Sequence, residues 1–225
     1  DVDGVYTTDP RIMSKARKLD YITFEEMLEM ASAGARVLQT RSVAMAMRHR
    51  VNLQVLSSFN DGSGTLISLK DESMENALVS GIAFQKDQVK FTLHSVGDIP
   101  GTAFKILGPI SDAEIEVDVI VQNVSIDDKT DFTFTVSNED SDSVEKILED
   151  LKTEVDYKKL IINSDIAKVS LVGTGMRSQA GVASKAFRAL SENNVNIQII
   201  STSEIKITMV IDESLIEKAV NVLHE

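Results

Sequence analysis

Apolar residues recur along the chain with two periods, and the switches between them predict the elements. Thr23-Phe24-Glu25-Glu26 is a capping-box pattern, in which the Thr hydroxyl and the Glu carboxylate each serve a free backbone N–H. Phe24, Met27, Leu28 and Ala31 follow at helical spacing, and Gly34 is the stop. Val37, Leu38, Val43, Ala44 and Met47 predict a second helix over 37–48. Residues 52–56 and 65–69 alternate as strands around the turn-forming Asn60-Asp61-Gly62-Ser63-Gly64. Residues 1–22 are turn-rich, with Gly4 and Asp9-Pro10. The polar run from Lys70 to Asn76 marks a linker over 69–78.

Beyond it the pattern repeats. Strands are predicted at 79–86, 89–94, 115–122 and 131–136, with helices at 100–112 and 141–152; Pro109 falls near the end of the first helix. The series then recurs: strands at 160–163, 168–172, 195–200 and 205–211, helices at 181–193 and 214–223. Sliding the first copy by 80 positions lays Gly101 on Gly181, Ala103 on Ala183, Lys105 on Lys185, Ser111 on Ser191 and Val117 on Ile197. Gln122-Asn123 falls on Thr202-Ser203. This is an internal repeat of a βαββαβ-like unit, an α+β sandwich of antiparallel sheet and two helices.

Composition narrows the functions. The chain has 225 residues, 43% hydrophobic and 26% charged, ordinary for a globular protein with a sizeable core. A formal net charge of −12 argues against a broad basic face for nucleic acid. No apolar run approaches the ~18 residues of a membrane span. The absence of cysteine removes disulfides, thiolate metal sites and a cysteine nucleophile. The opening, DVDGVYTTDPR, reads as though a longer polypeptide had been entered midway.

Each copy shares one local design. A strand ends, a glycine-bearing loop follows and a helix begins: Gly97-Asp98-Ile99-Pro100-Gly101 in one, Gly173-Thr174-Gly175 through Ala180-Gly181 in the other. First-turn N–H groups of a helix lack intrahelical partners and carry partial positive charge, which suits a small carboxylate. The next strand opens with Glu114 and Glu116, or with Asn194 and Asn196, and NVNIQIISTSE (194–204) carries Ser201, Thr202 and Ser203 near its end. Such groups can receive an ammonium or a hydroxyl, so the parts describe a pocket for a free amino acid. The alternative is ordinary turn chemistry, which would be the better reading of either copy alone; the duplication favours a paired site. Gly173-Thr174-Gly175-Met176 lacks the Gly-Lys-Ser/Thr ending of a phosphate loop. His49, His94 and His224 have no metal-ligand spacing, and no nucleophile–His–acid set is legible.

DVDGVYTTDPR, KLDYITFEEMLEMASAGARVLQTRSV, SSFNDGSGTLI, VQNVS and NVNIQIISTSEIKI together resemble the aspartate kinase family, over essentially the whole chain. The resemblance implies a C-terminal remnant of an α/β amino acid kinase domain over 1–68, a linker at 69–78, and two ferredoxin-like ACT domains at 79–157 and 158–225. It implies a phosphotransferase that uses ATP, with Mg in the complete enzyme, on the side-chain carboxylate of aspartate. Lysine, threonine or both would be effectors. Asp1 and Tyr6-Thr7-Thr8-Asp9-Pro10-Arg11 resemble the nucleotide segment, and Arg36 stands where many relatives have Lys. Asp98, Gly101, Ala103, Glu116, Val117, Asp118 and Gln122 resemble one effector pocket. Val182, Ala183, Asn196, Ile197 and Ser203 resemble a second. Relatives often carry Asn at the position of Glu116 and no proline at that of Pro109.

The Lys-Phe-Gly-Gly-Thr motif and the aspartate-binding segments of the family do not occur here. The chain is therefore expected to carry no catalytic residue of its own and to be inactive alone, a regulatory portion of a cytoplasmic enzyme. Expected partners are a second copy through the ACT domains and a full-length catalytic subunit, without nucleic acid or membrane. The competing reading is an ACT-type dimerisation module that binds no effector.

Overall fold

The computed structural model describes residues 2–69, 77–123, 128–178 and 180–224. The first part is built from β1 (Tyr21–Thr23), α1 (Phe24–Ser32), α2 (Thr40–His49), β2 (Leu53–Val55) and β3 (Thr65–Ser68). The strands lie in the order β1-β3-β2, with β1 parallel and β2 antiparallel to β3. The capping box forms as the residues predict. Glu26 N–H donates to Thr23 Oγ1 at 3.2 Å, and Thr23 N–H donates to the Glu26 carboxylate at 3.2 Å. Ile22, Phe24, Met27, Met30, Val43 and Ile67 close the core of this part, together with Val5 and Val172.

The rest of the chain carries β4 (Gly81–Gly97), α3 (Thr102–Asp112), β5 (Ile120–Gln122), β6 (Lys129–Ser137), α4 (Ser141–Asp150) and α5 (Lys152–Val155). Then come β7 (Lys159–Val172), α6 (Val182–Glu192), β8 (Ile199–Thr202), β9 (Lys206–Asp212) and α7 (Ile216–His224). Contacts gather the chain into two units. One holds residues Asp1–Gln85 and Ala167–Glu225, the other Lys86–Ile166.

The Lys86–Ile166 unit is one complete βαββαβ repeat with strand order β5-β6-β4-β7. Phe91, Phe132, Phe134, Ile106, Ile110 and Leu148 fill its core. Phe91 and Phe134 stack at 5.6 Å between ring centroids. In the other unit the second repeat has strand order β4-β7-β9-β8. Its fourth strand is the start of β4, residues 81–85, which precede the first repeat in the chain. Ala167, Val169, Ala186, Leu190, Met209 and Ile211 form its core, and Met13 from the N-terminal part is buried among them.

Three expectations are corrected. The pairs 79–86 with 89–94, and 160–163 with 168–172, are not separate strands; each pair is one long strand, β4 or β7. Their polar breaks at Lys86-Asp87 and Ser164-Asp165 are exposed, and they sit at the boundaries of the two units. A strand needs only its backbone ladder to continue, so an exposed polar stretch does not end it. The strands expected at 115–122 and 195–200 are shorter, beginning only at Ile120 and Ile199. The helix expected over 141–152 breaks at Leu151 into α4 and α5. The core linker run, 70–76, lies outside the described residues.

Candidate functional site

The 80-residue spacing of the sequence is reproduced in backbone geometry. α3 and α6 start and stop 80 positions apart. Both begin after a glycine in the left-handed region, Gly101 at φ 96° and Gly181 at φ 99°. A side chain there would find open space but a strained backbone. Both helices end in a Schellman motif. In one, Glu114 N–H donates to Ser111 O at 2.9 Å and Ile115 N–H to Ile110 O at 3.2 Å. In the other, Asn194 N–H donates to Ser191 O at 3.0 Å and Val195 N–H to Leu190 O at 2.9 Å. Glu114 (φ 60°) and Asn194 (φ 55°) are the left-handed residues of these motifs. Their place in the pattern is therefore a helix stop, which Asn tolerates better than Glu.

In the first repeat, the side-chain amide of Gln122 donates to Asp98 Oδ1 at 3.3 Å, joining two of the expected pocket residues. Gly101, Glu116 and Asp118 are exposed beside them in sequence, and the Asp118 N–H is held by Thr135 O at 3.0 Å. The Thr135 hydroxyl accepts from the N–H of Val119 at 3.2 Å, and Thr135 N–H donates to Val119 O at 3.1 Å, just before β5 begins. Ala103 and Val117 pack against the phenylalanine core. In the second repeat, Val182 is core, and Ala183 and Ile197 pack on it. Asn196 and Ser203 are exposed, and the Ser203 N–H closes the β8–β9 turn on Lys206 O at 2.8 Å. Each repeat end thus has the same composition: an apolar floor, a left-handed glycine at a helix start and exposed polar side chains on the lead-in to a strand.

The nucleotide-like segment is largely self-paired. Asp1 lies outside the described residues. The Tyr6 hydroxyl donates to Asp3 at 3.1 Å, an interaction that holds the Asp3 carboxyl below its ordinary range. Thr7 Oγ1 meets His224 Nε2 at 2.8 Å and accepts from Arg17 N–H at 3.0 Å. Arg11 grips Asp9 at 2.7 Å, and its hydrogen bond holds that carboxyl low. Pro10, Arg11 and Arg36 are exposed. Thr8 is 3% exposed, and its hydroxyl has no partner among the described residues. Burial of His224, with Arg17 and Lys15 nearby, depresses its imidazole. Away from this segment, an open cleft of about 650 Å³ lies along α2, lined by Arg41, Ser42, Met45, Ala46, His49 and Val51.

Two features escape the sequence patterns. His224 carries no motif, yet it joins the end of α7 to Thr7. Glu26 was visible as the fourth residue of a capping box, but its carboxylate also accepts from Ser80 and Thr174, residues 54 and 148 positions away. No local signal announces such a pairing. Among the described residues, no helix is long and apolar enough to cross a membrane, and no His, Cys, Asp and Glu grouping could hold a metal.

An amino-acid-kinase-like end joined to two repeats of the ACT type is the class that this architecture defines. The amino acid kinase family model matches residues 1–57, and ACT domain models match 93–156 and 169–225. An aspartate kinase of Pseudomonas fluorescens is 58% identical over the whole chain, which covers 54% of that relative. A solved structure of aspartokinase alpha and beta subunits is 46% identical at a TM-score of 0.61, over 65% of this chain and 96% of that one. E. coli aspartokinase III in complex with lysine and aspartate, in its T-state, is 29% identical at a TM-score of 0.76, over 100% of this chain and 49% of that one. The chain belongs to the aspartate kinase family, whose members are phosphotransferases, and it spans about half the length of the curated relatives it matches.

Proposed function

We propose that the chain is the feedback-inhibition portion of an aspartate kinase, binding lysine, threonine or both at its ACT repeats. The parent enzyme would phosphorylate the side-chain carboxylate of L-aspartate with ATP, the first step toward lysine, threonine and methionine. One observation carries the reading: both repeats present the same exposed polar end around a left-handed glycine, at φ 96° and 99°. The complex of the E. coli relative with lysine supports it. Asp98, Gly101, Glu116, Asp118 and Gln122, over Ala103 and Val117, would hold an effector in the first repeat. Asn196 and Ser203, over Val182, Ala183 and Ile197, would do so in the second.

The nucleotide would be met by Asp1, Tyr6 to Arg11 and Arg36. The hydroxyl of Thr8, buried and without a partner among the described residues, fits an added acceptor such as a phosphate oxygen, and Arg11, exposed though paired with Asp9, would lend charge. ATP with Mg supplies the phosphoryl group; nothing in this chain is assigned to the metal. Residues 1–68 would complete a kinase domain, 69–78 would link it to ACT domains at 79–157 and 158–225, and the whole would work in the cytoplasm. Copies would pair through the ACT domains, with a full-length catalytic subunit as a further partner.

The test is inhibition of the full-length enzyme by each amino acid, before and after Asn196→Trp and Ser203→Trp. Loss of inhibition with kcat preserved is expected. Wild-type inhibition surviving both changes would remove these residues from the site. The second reading, an ACT module for assembly alone, rests on the exposed Ile99, Phe104 and Ile120 of the first repeat. It predicts that dimerisation is indifferent to either amino acid and that the same substitutions leave activity untouched.

A further inference from the structure

The Glu26 carboxylate accepts five hydrogen bonds, and the effector pockets do not use it. Only 4% of it is exposed. Oε2 accepts from Thr23 N–H at 3.2 Å and Thr23 Oγ1 at 2.8 Å. Oε1 accepts from Ser80 Oγ at 2.7 Å, Thr174 N–H at 2.8 Å and Thr174 Oγ1 at 2.9 Å. Burial alone would raise its pKa. These donors outweigh it and hold the group below the usual carboxylate range, as an ion. A buried charge without such donors would be costly.

The donors come from three separate stretches of one unit. Thr23 caps α1 in the kinase-like part, Ser80 precedes β4, and Thr174 follows β7. The Gly173-Thr174-Gly175 motif, which is not a phosphate loop, has its explanation here. A Cβ at Gly173 would meet Leu78 O at 2.5 Å, and one at Gly175 would meet Ala77 O at 2.5 Å. Both glycines are bare so that the loop can lie against residues 77–80 and present Thr174 to Glu26. Two neighbouring pairs brace the contact: Arg177 with Glu25 at 3.1 Å and Lys206 with Glu29 at 2.7 Å. The loop includes Thr174–Ser178, and Gly181 a few residues on in the chain caps α6, where the second pocket is placed. On its other side α1 packs with Val5, the neighbour of the Tyr6–Arg11 segment.

We propose that Glu26 is a positioning residue for inhibition: its buried carboxylate fixes the Gly173–Met176 loop to the start of α1, so that a change at the second ACT pocket is felt by the kinase part. The inference rests on the proposed feedback reading, and coupling of this kind requires an element whose arrangement both sites bias.

The test uses the full-length enzyme with Glu26→Gln. Glutamine keeps the shape, loses the charge and turns one acceptor into a donor facing donors. Half-inhibition by the effector should need at least ten-fold more ligand, while the calorimetric Kd for that effector and the uninhibited kcat stay within three-fold. Thr174→Val, missing one hydroxyl, should shift inhibition about three-fold, and Thr174→Ser should restore it. Hydrogen exchange at the Thr174 amide and at 77–80 should rise at least ten-fold in Glu26→Gln, with the strands of Lys86–Ile166 unaffected. Inhibition that stays at wild-type sensitivity, or that falls in step with effector affinity, would overturn the proposal. Should Glu26→Gln not fold, the Thr174 pair decides by the same split. If the wild-type enzyme binds neither amino acid, the feedback reading fails, and the exchange measurement alone decides whether Glu26 forms the joint.

Discussion

The two repeats share a helix to the residue and differ in what surrounds it. The Lys86–Ile166 repeat is a unit by itself, with strand order β5-β6-β4-β7 and a phenylalanine core. The second repeat takes its fourth strand from residues 81–85, buries Met13 and is tied to α1 through Glu25, Glu26 and Glu29. Their surfaces differ in the same sense. Phe104 is 79% exposed on α3, where α6 carries Ser184. One framework therefore serves two ends: a module that exposes apolar side chains, and a module gathered into one unit with the kinase-like part. The difference lies in side chains outside the repeat pattern, because the repeat itself specifies only the framework.

Emptying the first core should have the largest effect. Phe91→Ala should destabilise by about 3–5 kcal/mol, and native-state hydrogen exchange should report the loss in Lys86–Ile166 alone. Loss spread equally over both units would mean that they unfold together. Next is Gly173→Ala, which forces a Cβ onto the Leu78 backbone. It should cost about 1–3 kcal/mol, whereas Gly97→Ala, with nothing within 4 Å of the added Cβ, should stay within about 0.5 kcal/mol. Urea melts of both variants check this.

Acid should act more gently. The Glu26 carboxyl is depressed in the folded state, so its contribution is complete above the unfolded value of about 4.3. It is lost as pH falls through the lower folded value. Asp131 follows the same sign in the first repeat, held low first by the Ser95 N–H and then by His94. His224, depressed by burial, favours the fold above its ordinary value of about 6.5 and loses that contribution as pH falls below it. Denaturant titrations from pH 7 to 3 should show these losses in turn, and Glu26→Gln should flatten the acid limb. The smallest effect is expected from Lys206→Ala, a partly exposed pair with Glu29 worth about 0.2–1 kcal/mol.

Much of the framework was legible because local rules impose it. The capping box at Thr23, the helices beginning at Gly101 and Gly181, and the 80-residue repeat all follow from spacing and backbone chemistry. Long strands were not legible, since Lys86-Asp87 and Ser164-Asp165 look like ends when only side chains are read. Nor was the role of Asn194 as a helix stop, because Asn serves turns and ligands with the same groups. The Glu26 contacts depend on residues 80 and 174 arriving from afar. That the Thr8 hydroxyl has no partner among the described residues depends on burial. Neither leaves a periodic trace.

The most direct measurement is a calorimetric titration of the folded full-length enzyme with lysine and with threonine, repeated on Asn196→Trp. Saturable heat from at least one amino acid, weakened in the variant, is the predicted result. A folded enzyme that gives no heat with either amino acid would rule out effector binding at these repeats.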